Sequence, residues 1–148
     1  MKLILPAALE AEIARQAAAA FPRECCGLIQ GTRSGESFRV TRIHPGRNLA
    51  KAPDRFEIDP VDHIAAMKAA RAQGADIIGC YHSHPNGEAR PSRHDLSGAG
   101  EENFLWLIAA TDGVQCQIGA FVYRTPDFVA LSKELGADLV TSSLNDRN

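Results

Sequence analysis

Two stretches of the chain show the hydrophobic period of an α-helix. In residues 7–21, apolar side chains recur every three or four positions opposite charged ones, and Pro22 should end that helix because proline cannot continue it. Asp59 followed by Pro60 indicates a second helix start, since Asp caps free amides and proline suits the first helical position. Gly74 can close that helix in a left-handed conformation. Its predicted buried stripe comprises Val61, Ile64, Met67 and Ala70.

Other segments either alternate between apolar and polar residues or are continuously apolar, and both patterns are typical of β-strands. Residues 24–30 form a short apolar run, 31–35 indicate a turn and 38–43 alternate, so two paired strands are predicted. Residues 77–84 begin apolar and end polar, which predicts a central strand emerging at a functional site. Three further strands are predicted at 104–110, 114–123 and 128–133. With a third helix opened by Ser92, about six or seven strands and three helices predict an α/β fold, a mixed sheet with helices packed on it.

The composition is that of an ordinary globular chain, with 148 residues, 45% of them hydrophobic and 23% charged. We therefore expect a single domain over residues 1–148. A net charge of -2, without a basic run, argues against nucleic acid or a membrane surface as a partner. The N-terminal apolar stretch is too short for a signal peptide, and no segment approaches the roughly 20 apolar residues of a membrane span, so we expect a cytoplasmic protein.

The four cysteines, Cys25, Cys26, Cys80 and Cys116, show no C-x-x-C spacing. We expect reduced, packed thiols. A hydrolase with Cys25 or Cys26 as nucleophile is the weaker alternative, because nothing nearby in the sequence supplies a histidine to activate the thiol.

Two histidines stand at the polar end of the predicted central strand. His82 and His84 are separated by one residue, so on a strand both side chains point to the same face, with their α-carbons about 6.6 Å apart. Both rings could then bind one metal ion. The same spacing also fits two histidines that are solvated or hydrogen-bonded at a strand end, so the pair alone does not decide between a ligand role and a structural one.

A third ligand is available at the start of the predicted third helix. Asp95 offers a carboxylate, but Ser92 and Asp95 also have the spacing of a capping box, in which both side chains satisfy helix-end amides. His94 is a rival ligand, although neighbouring helical positions diverge by about 100°, so His94 and Asp95 should not both face the metal. Three ligands would leave one tetrahedral position for water, as in a catalytic zinc site.

Taken together, these residues resemble the signature of the JAMM/MPN metallopeptidases, H-[ST]-H-P-x6-S-x2-D. The match runs from His82-Ser83-His84-Pro85 through Ser92 to Asp95 without a gap. The segment 22–31, which contains Glu24, is similar to the glutamate-bearing strand of that family. The order of helices and strands also agrees, so the resemblance covers about residues 5–135.

The resemblance implies a role for each of these residues. His82, His84 and Asp95 would be the zinc ligands, Glu24 the general acid/base and Ser92 the hydroxyl that stabilises the oxyanion. The implied fold is the MPN/JAMM domain, with a layout like that of cytidine deaminases. Glu24 opens an apolar run, where a charge without a function would be costly to desolvate.

The implied activity is that of a zinc-dependent peptidase or isopeptidase. Minimal prokaryotic members of the family resemble enzymes that cut after the C-terminal Gly-Gly of ubiquitin-like sulfur carrier proteins, so such a carrier is the expected partner. Two alternatives stay open: a non-catalytic MPN-type interaction module, and a peptidase acting on other peptides, such as those of a cell wall or phage tail. The oligomeric state is not predicted.

Overall fold

The computed structural model describes residues 1–136, and its elements follow the two hydrophobic periods of the sequence. The expected single domain of residues 1–148 thus includes residues 137–148, which lie outside the described part. In chain order the elements are β1 (Lys2–Pro6), α1 (Ala7–Ala20), β2 (Cys26–Ser34), β3 (Ser37–Gly46), α2 (Pro60–Ala72), β4 (Asp76–Pro85), α3 (Arg93–Gly98), β5 (Leu105–Thr111), β6 (Cys116–Arg124), β7 (Asp127–Ala130) and β8 (Ser132–Gly136).

The eight strands form one mixed sheet in the order β7-β6-β5-β4-β2-β3-β1-β8. At its centre, β4 pairs antiparallel with β2 and parallel with β5. Only Leu131 separates β7 from β8, although these strands occupy opposite edges. One residue spans no more than a few ångströms, so the sheet must curl until its edges approach each other. The Leu131 amide accordingly donates to the carbonyl of Ala120, and the Ser132 amide donates to that of Met1. These observations confirm the predicted α/β class, with more strands than expected.

A helix packs on each face of the sheet, and each helix contacts a different set of side chains from the same strands. On one face, Ile13 and Ala17 of α1 join the large core, which includes Ile29 and Leu107. On the other face, Ala66 of α2 joins a smaller cluster whose buried members are Leu28, Cys80 and Trp106. Successive strand residues point to opposite faces, so the central strands are apolar on both sides. We call these the α1 face and the α2 face.

The predicted buried stripe of α2 is wrong in three of its four positions. Val61, Ile64 and Met67 are exposed, at 68%, 54% and 44%, whereas Ala66 and Ala70 are 3% and 1% exposed. Ala66 lies two residues beyond Ile64, about 200° around the helix. The small alanine side chains let α2 lie close to the sheet, which turns the larger side chains towards solvent. The start at Asp59 is confirmed, because its carboxylate accepts from the Val61 amide.

Three predictions about strands also need correction. The strand β1 was not predicted, and its partners β3 and β8 are far away in sequence. The predicted strand 128–133 is two strands, β7 and β8. The turn predicted at 31–35 is shorter: β2 runs to Ser34 with a bulge after Gln30, and the chain reverses at Gly35, whose φ is +59°. No helix within residues 1–136 is long and apolar enough to cross a membrane.

Candidate metal centre and active site

The end of β4 brings the two histidine rings together on the α2 face. His82 and His84 alternate with Ser83, so both rings lie on one side of the strand while Ser83 points to the other. The two Nε2 atoms lie 3.0 Å apart. His82 is fully buried, and burial lowers its pKa although its hydrogen bond to Asp95 acts in the opposite direction. A neutral imidazole keeps a lone pair that can bind a metal.

Asp95 contacts both rings from the first turn of α3. Its Oδ1 lies 3.0 Å from Nε2 of His82, and its Oδ2 lies 3.1 Å from Nε2 of His84. Burial alone would raise the pKa of Asp95, but hydrogen bonds from the two histidines outweigh it and hold the pKa well below its usual range. The carboxylate is therefore ionised and faces two ring nitrogens.

The capping prediction also holds for this carboxylate. Asp95 Oδ2 accepts from the Ser92 amide at 2.8 Å, and Ser92 Oγ accepts from the Asp95 amide at 3.1 Å. Both halves of a capping box are present. Capping and contact with the histidines are thus properties of the same side chain, since the cap orients the carboxylate towards β4. His94, at the preceding helical position, is exposed and does not share this contact.

Contacts outside the cluster orient the histidines. Nδ1 of His84 lies 2.8 Å from the carbonyl of Glu88, which can only accept, so Nδ1 carries a proton and Nε2, which contacts Asp95, is the nitrogen from which a metal would displace a proton. The ring of His82 stacks on Phe56 with centroids 4.3 Å apart and meets the edge of Trp106. Two ring nitrogens and a carboxylate therefore converge within about 3 Å, which is a donor set that a metal cation fits.

Glu24 completes the cluster from the segment just before β2. Only 5% of this residue is exposed, and its carboxylate, the His82 ring and the His84 ring each offer an atom within 4.8 Å of the others. Burial raises the pKa of Glu24 to about 7, against an opposing effect from His84. A carboxyl group with such a pKa can both accept and release a proton near neutral pH.

Two residues without a predicted role, Ser83 and Asn48, hold the Glu24 segment in place. Ser83 Oγ accepts from the Cys25 amide at 2.8 Å, and the Ser83 amide donates to the Cys25 carbonyl at 3.1 Å. Asn48 Nδ2 donates to the Glu24 carbonyl at 3.1 Å. The alternation of β4 could have placed Ser83 behind the histidines, but no pattern in the sequence pointed to Asn48.

The cysteines show no sign of nucleophilic activation. All four are free, and Cys26 and Cys80 are buried. Burial raises the pKa of the Cys25 thiol and raises that of Cys26 to about 12. Because the thiolate is the reactive form, these residues act as packing groups, in agreement with the expectation of reduced thiols.

Two cavities flank the cluster. The first, of about 490 Å³, lies on the α2 face and is lined by Asp95 together with the apolar side chains of Leu28, Phe56 and Trp106. The second, of about 360 Å³, is lined by Glu24, His84 and Ser92. The cluster is therefore bordered by two cavities, which share Asp54 and His94 as lining residues.

Comparison with known proteins covers the part of the chain that forms this cluster. The family model described as prokaryotic homologs of the JAB domain matches residues 6–121, which include all five predicted site residues. The fold is similar to the solution structure of a protein from Desulfitobacterium hafniense. The TM-score is 0.83 at 29% identity, and the match covers 94% of this chain and 95% of that one.

Curated relatives with named activities share the same part of the chain. Desampylase of Haloferax volcanii is 35% identical over 93 residues, which is 62% of this chain and 66% of that protein. The "Probable TtuB-protein conjugate cleaving protease" of Thermus thermophilus is 35% identical over 95 residues, which is 64% of this chain and 60% of that protein. The matched part thus spans less than two thirds of the length of either relative.

Proposed function

The chain belongs to the prokaryotic homologs of the JAB domain, and from this membership and the site geometry we propose that it is a zinc-dependent peptidase or isopeptidase. The observation that carries the proposal is the convergence of the His82 and His84 rings with the Asp95 carboxylate, beside the buried carboxyl group of Glu24. A cytoplasmic location, predicted from the sequence, is part of the same proposal.

The metal would be held by His82, His84 and Asp95. Neutral imidazoles and a carboxylate are donors that zinc accepts, and Asp95 is in direct contact with both rings, whereas Glu24 is farther away. When bound, zinc lowers the pKa of a coordinated water and polarises the scissile carbonyl. The remaining steps are performed by side chains of this chain.

Glu24 would act as the general acid/base. It would accept the proton of the attacking water and return it to the leaving amine, a role supported by its burial and by a pKa of about 7. Ser92 would donate its hydroxyl hydrogen to the oxyanion. Its Oγ accepts from the Asp95 amide and so keeps the hydroxyl at a fixed place in the second cavity.

The expected substrate is the C-terminal Gly-Gly tail of a ubiquitin-like sulfur carrier protein, joined to an amine. Two observations support this: the name of the Thermus relative includes conjugate cleavage, and the site lies open between two cavities. Glycines lack side chains, so a narrow passage beside the metal can admit them and exclude bulkier residues. An extended tail could also pair with a strand edge through its backbone.

The test compares the wild type with Glu24→Gln, each loaded with zinc. The substrate is a sulfur carrier protein that bears a short extension after Gly-Gly, and mass spectrometry identifies the product. We expect cleavage after the second glycine by the wild type and a loss of about 10²- to 10⁴-fold in Glu24→Gln, with equal zinc content in both proteins. A folded wild type that cannot be loaded with zinc would contradict the proposal and favour the interaction module. Full activity of Glu24→Gln would place the base elsewhere.

A further inference from the structure

The two cavities beside the cluster differ in the groups that face them. Asp54 and His94 line both cavities, whereas Glu24 lines only the second one. A hydrolysed amide has an acyl half and an amine half, and these must extend to different sides of the reacting carbon. The position of Glu24 therefore indicates which half enters which cavity.

The amine half belongs in the second cavity. On the proposed function, on which this inference rests, Glu24 returns a proton to the leaving nitrogen and must lie within hydrogen-bond reach of it. Glu24 lines the second cavity, and Asp95 and the apolar wall of Phe56 and Trp106 line the first. The acyl tail would then occupy the first cavity.

The second cavity is lined by apolar side chains and by an exposed carboxylate. Pro22, Pro53 and Pro85 contribute apolar surface, and Asp54 adds an exposed carboxylate with no ion pair among the described residues. No lysine or arginine of the described chain lines this cavity, whereas Arg55 lines the other one. With a divalent cation bound, the carboxylates of Glu24 and Asp95 are offset, so Asp54 is left as the unbalanced charge.

We propose that this second cavity is the leaving-group site and that Asp54 selects against leaving groups with a free α-carboxylate. A single amino acid released from a carrier tail brings such a carboxylate close to Asp54. A lysine side chain, or the amine of an internal peptide bond, brings an uncharged stem that fits the proline walls. The site would therefore favour carrier–protein conjugates over a carrier tail that bears one free amino acid.

The experiment uses two short tail peptides that differ in one charge, both ending in Gly-Gly-Ala, one with a free C-terminal carboxylate and one with a C-terminal amide. We expect the zinc-loaded protein to cleave the amide form about fivefold faster in kcat/KM, the change given by a screened pair of exposed unit charges about 4 Å apart. Asp54→Asn should abolish the preference. Glu57→Gln, a change in the same loop at an exposed carboxylate outside both cavities, should keep it.

A binding measurement gives a second readout that does not depend on turnover. Alanine methylamide and alanine, which differ only in the free carboxylate beside the amine, are titrated while the NMR signals of Asn86 and Gly87, which line the second cavity, are recorded. Tighter binding of the methylamide by the wild type but not by Asp54→Asn supports the inference. Cleavage of both peptides at equal rates, or an unchanged preference in Asp54→Asn, would overturn it and leave the peptidase proposal intact. Cleavage of neither peptide nor carrier would overturn both.

Discussion

On the α1 face the sheet is covered by a continuous apolar core, whereas on the α2 face a smaller apolar cluster borders the histidines and two open cavities. Strand β4 serves both faces by alternation. Tyr81 points into the α1 face, fully buried, and its hydroxyl donates to Gln16 at 2.6 Å. Its neighbours Cys80 and His82 point to the α2 face. One strand thus anchors the core on one face and presents the two histidines on the other.

Close approach of the chain is achieved differently on the two faces. On the α1 face the ring of Tyr81 lies against Gly27, where an added Cβ would be 2.3 Å from it. On the α2 face Ala66 and Ala70 let the helix α2 approach the strands, and the last residues of β4, His84 and Pro85, are half-buried. We therefore expect the first face to contribute most of the stability, whereas the second face carries the candidate site.

The largest expected difference in unfolding free energy is between the same substitution, isoleucine to alanine, made in α1 and in α2. Ile13→Ala removes a fully buried side chain from the core of the α1 face and should cost about 2–5 kcal/mol. Ile64→Ala removes a side chain of α2 that is 54% exposed and should change stability by no more than about 0.5 kcal/mol. Urea denaturation of both variants without metal measures the difference. Equal losses would mean that α2 packs through Ile64 after all.

That pair of variants also shows where prediction from the sequence succeeded and where it did not. For α1 the apolar period of residues 7–21 includes Ile13 and Ala17, and both are buried. For α2 the same rule selected the large residues Val61 and Ile64, because hydrophobicity ranks them above alanine. The distance between a helix and the sheet depends on tertiary contacts, and in α2 the small residues Ala66 and Ala70 set this distance. The pattern has no information about that distance.

The candidate site was predictable to the extent that its residues lie close together in sequence. His82, His84, Ser92 and Asp95 lie within one strand and the helix that follows, so spacing alone relates them. Glu24 was identified only through a family resemblance. Glu88 contacts His84 through its backbone carbonyl, which every residue type has, so this contact could not be predicted from the sequence.

A second prediction concerns the loop between β3 and α2, which borders both cavities. Asn48 uses all its hydrogen-bonding capacity there: Nδ2 donates to the carbonyls of Glu24 and Arg55, and Oδ1 accepts from the amides of Ala50 and Glu57. Asn48→Ala should cost about 1–3 kcal/mol in unfolding free energy and lower kcat, because both the loop and Glu24 lose an anchor.

Asn48→Asp is the matched comparison for this prediction, since one oxygen can still accept from Ala50 and Glu57 but the side chain can no longer donate to the carbonyls of Glu24 and Arg55. It keeps the accepting half of the contacts, so a fall in kcat equal to that of Asn48→Ala would assign the effect to the lost donors. Thermal unfolding and single-turnover kinetics measure the two effects separately. An Asn48→Ala variant with unchanged stability and unchanged kcat would show that the loop is held by other contacts.

The smallest expected changes in stability come from substitutions in the capping box of α3, which separate helix capping from metal binding. Asp95→Asn can still accept from the Ser92 amide, so the unfolding free energy should fall by at most about 1 kcal/mol. The neutral asparagine amide is a weaker ligand for a cation than a carboxylate, so zinc affinity and turnover should collapse. Ser92→Ala should lose about 1 kcal/mol and about 10²-fold or more in turnover, with zinc retained. Isothermal titration with zinc and denaturant unfolding separate the two roles. If Asp95→Asn binds zinc with the affinity of the wild type, the third ligand is instead Glu24, whose carboxylate lies within 4.8 Å of both histidine rings.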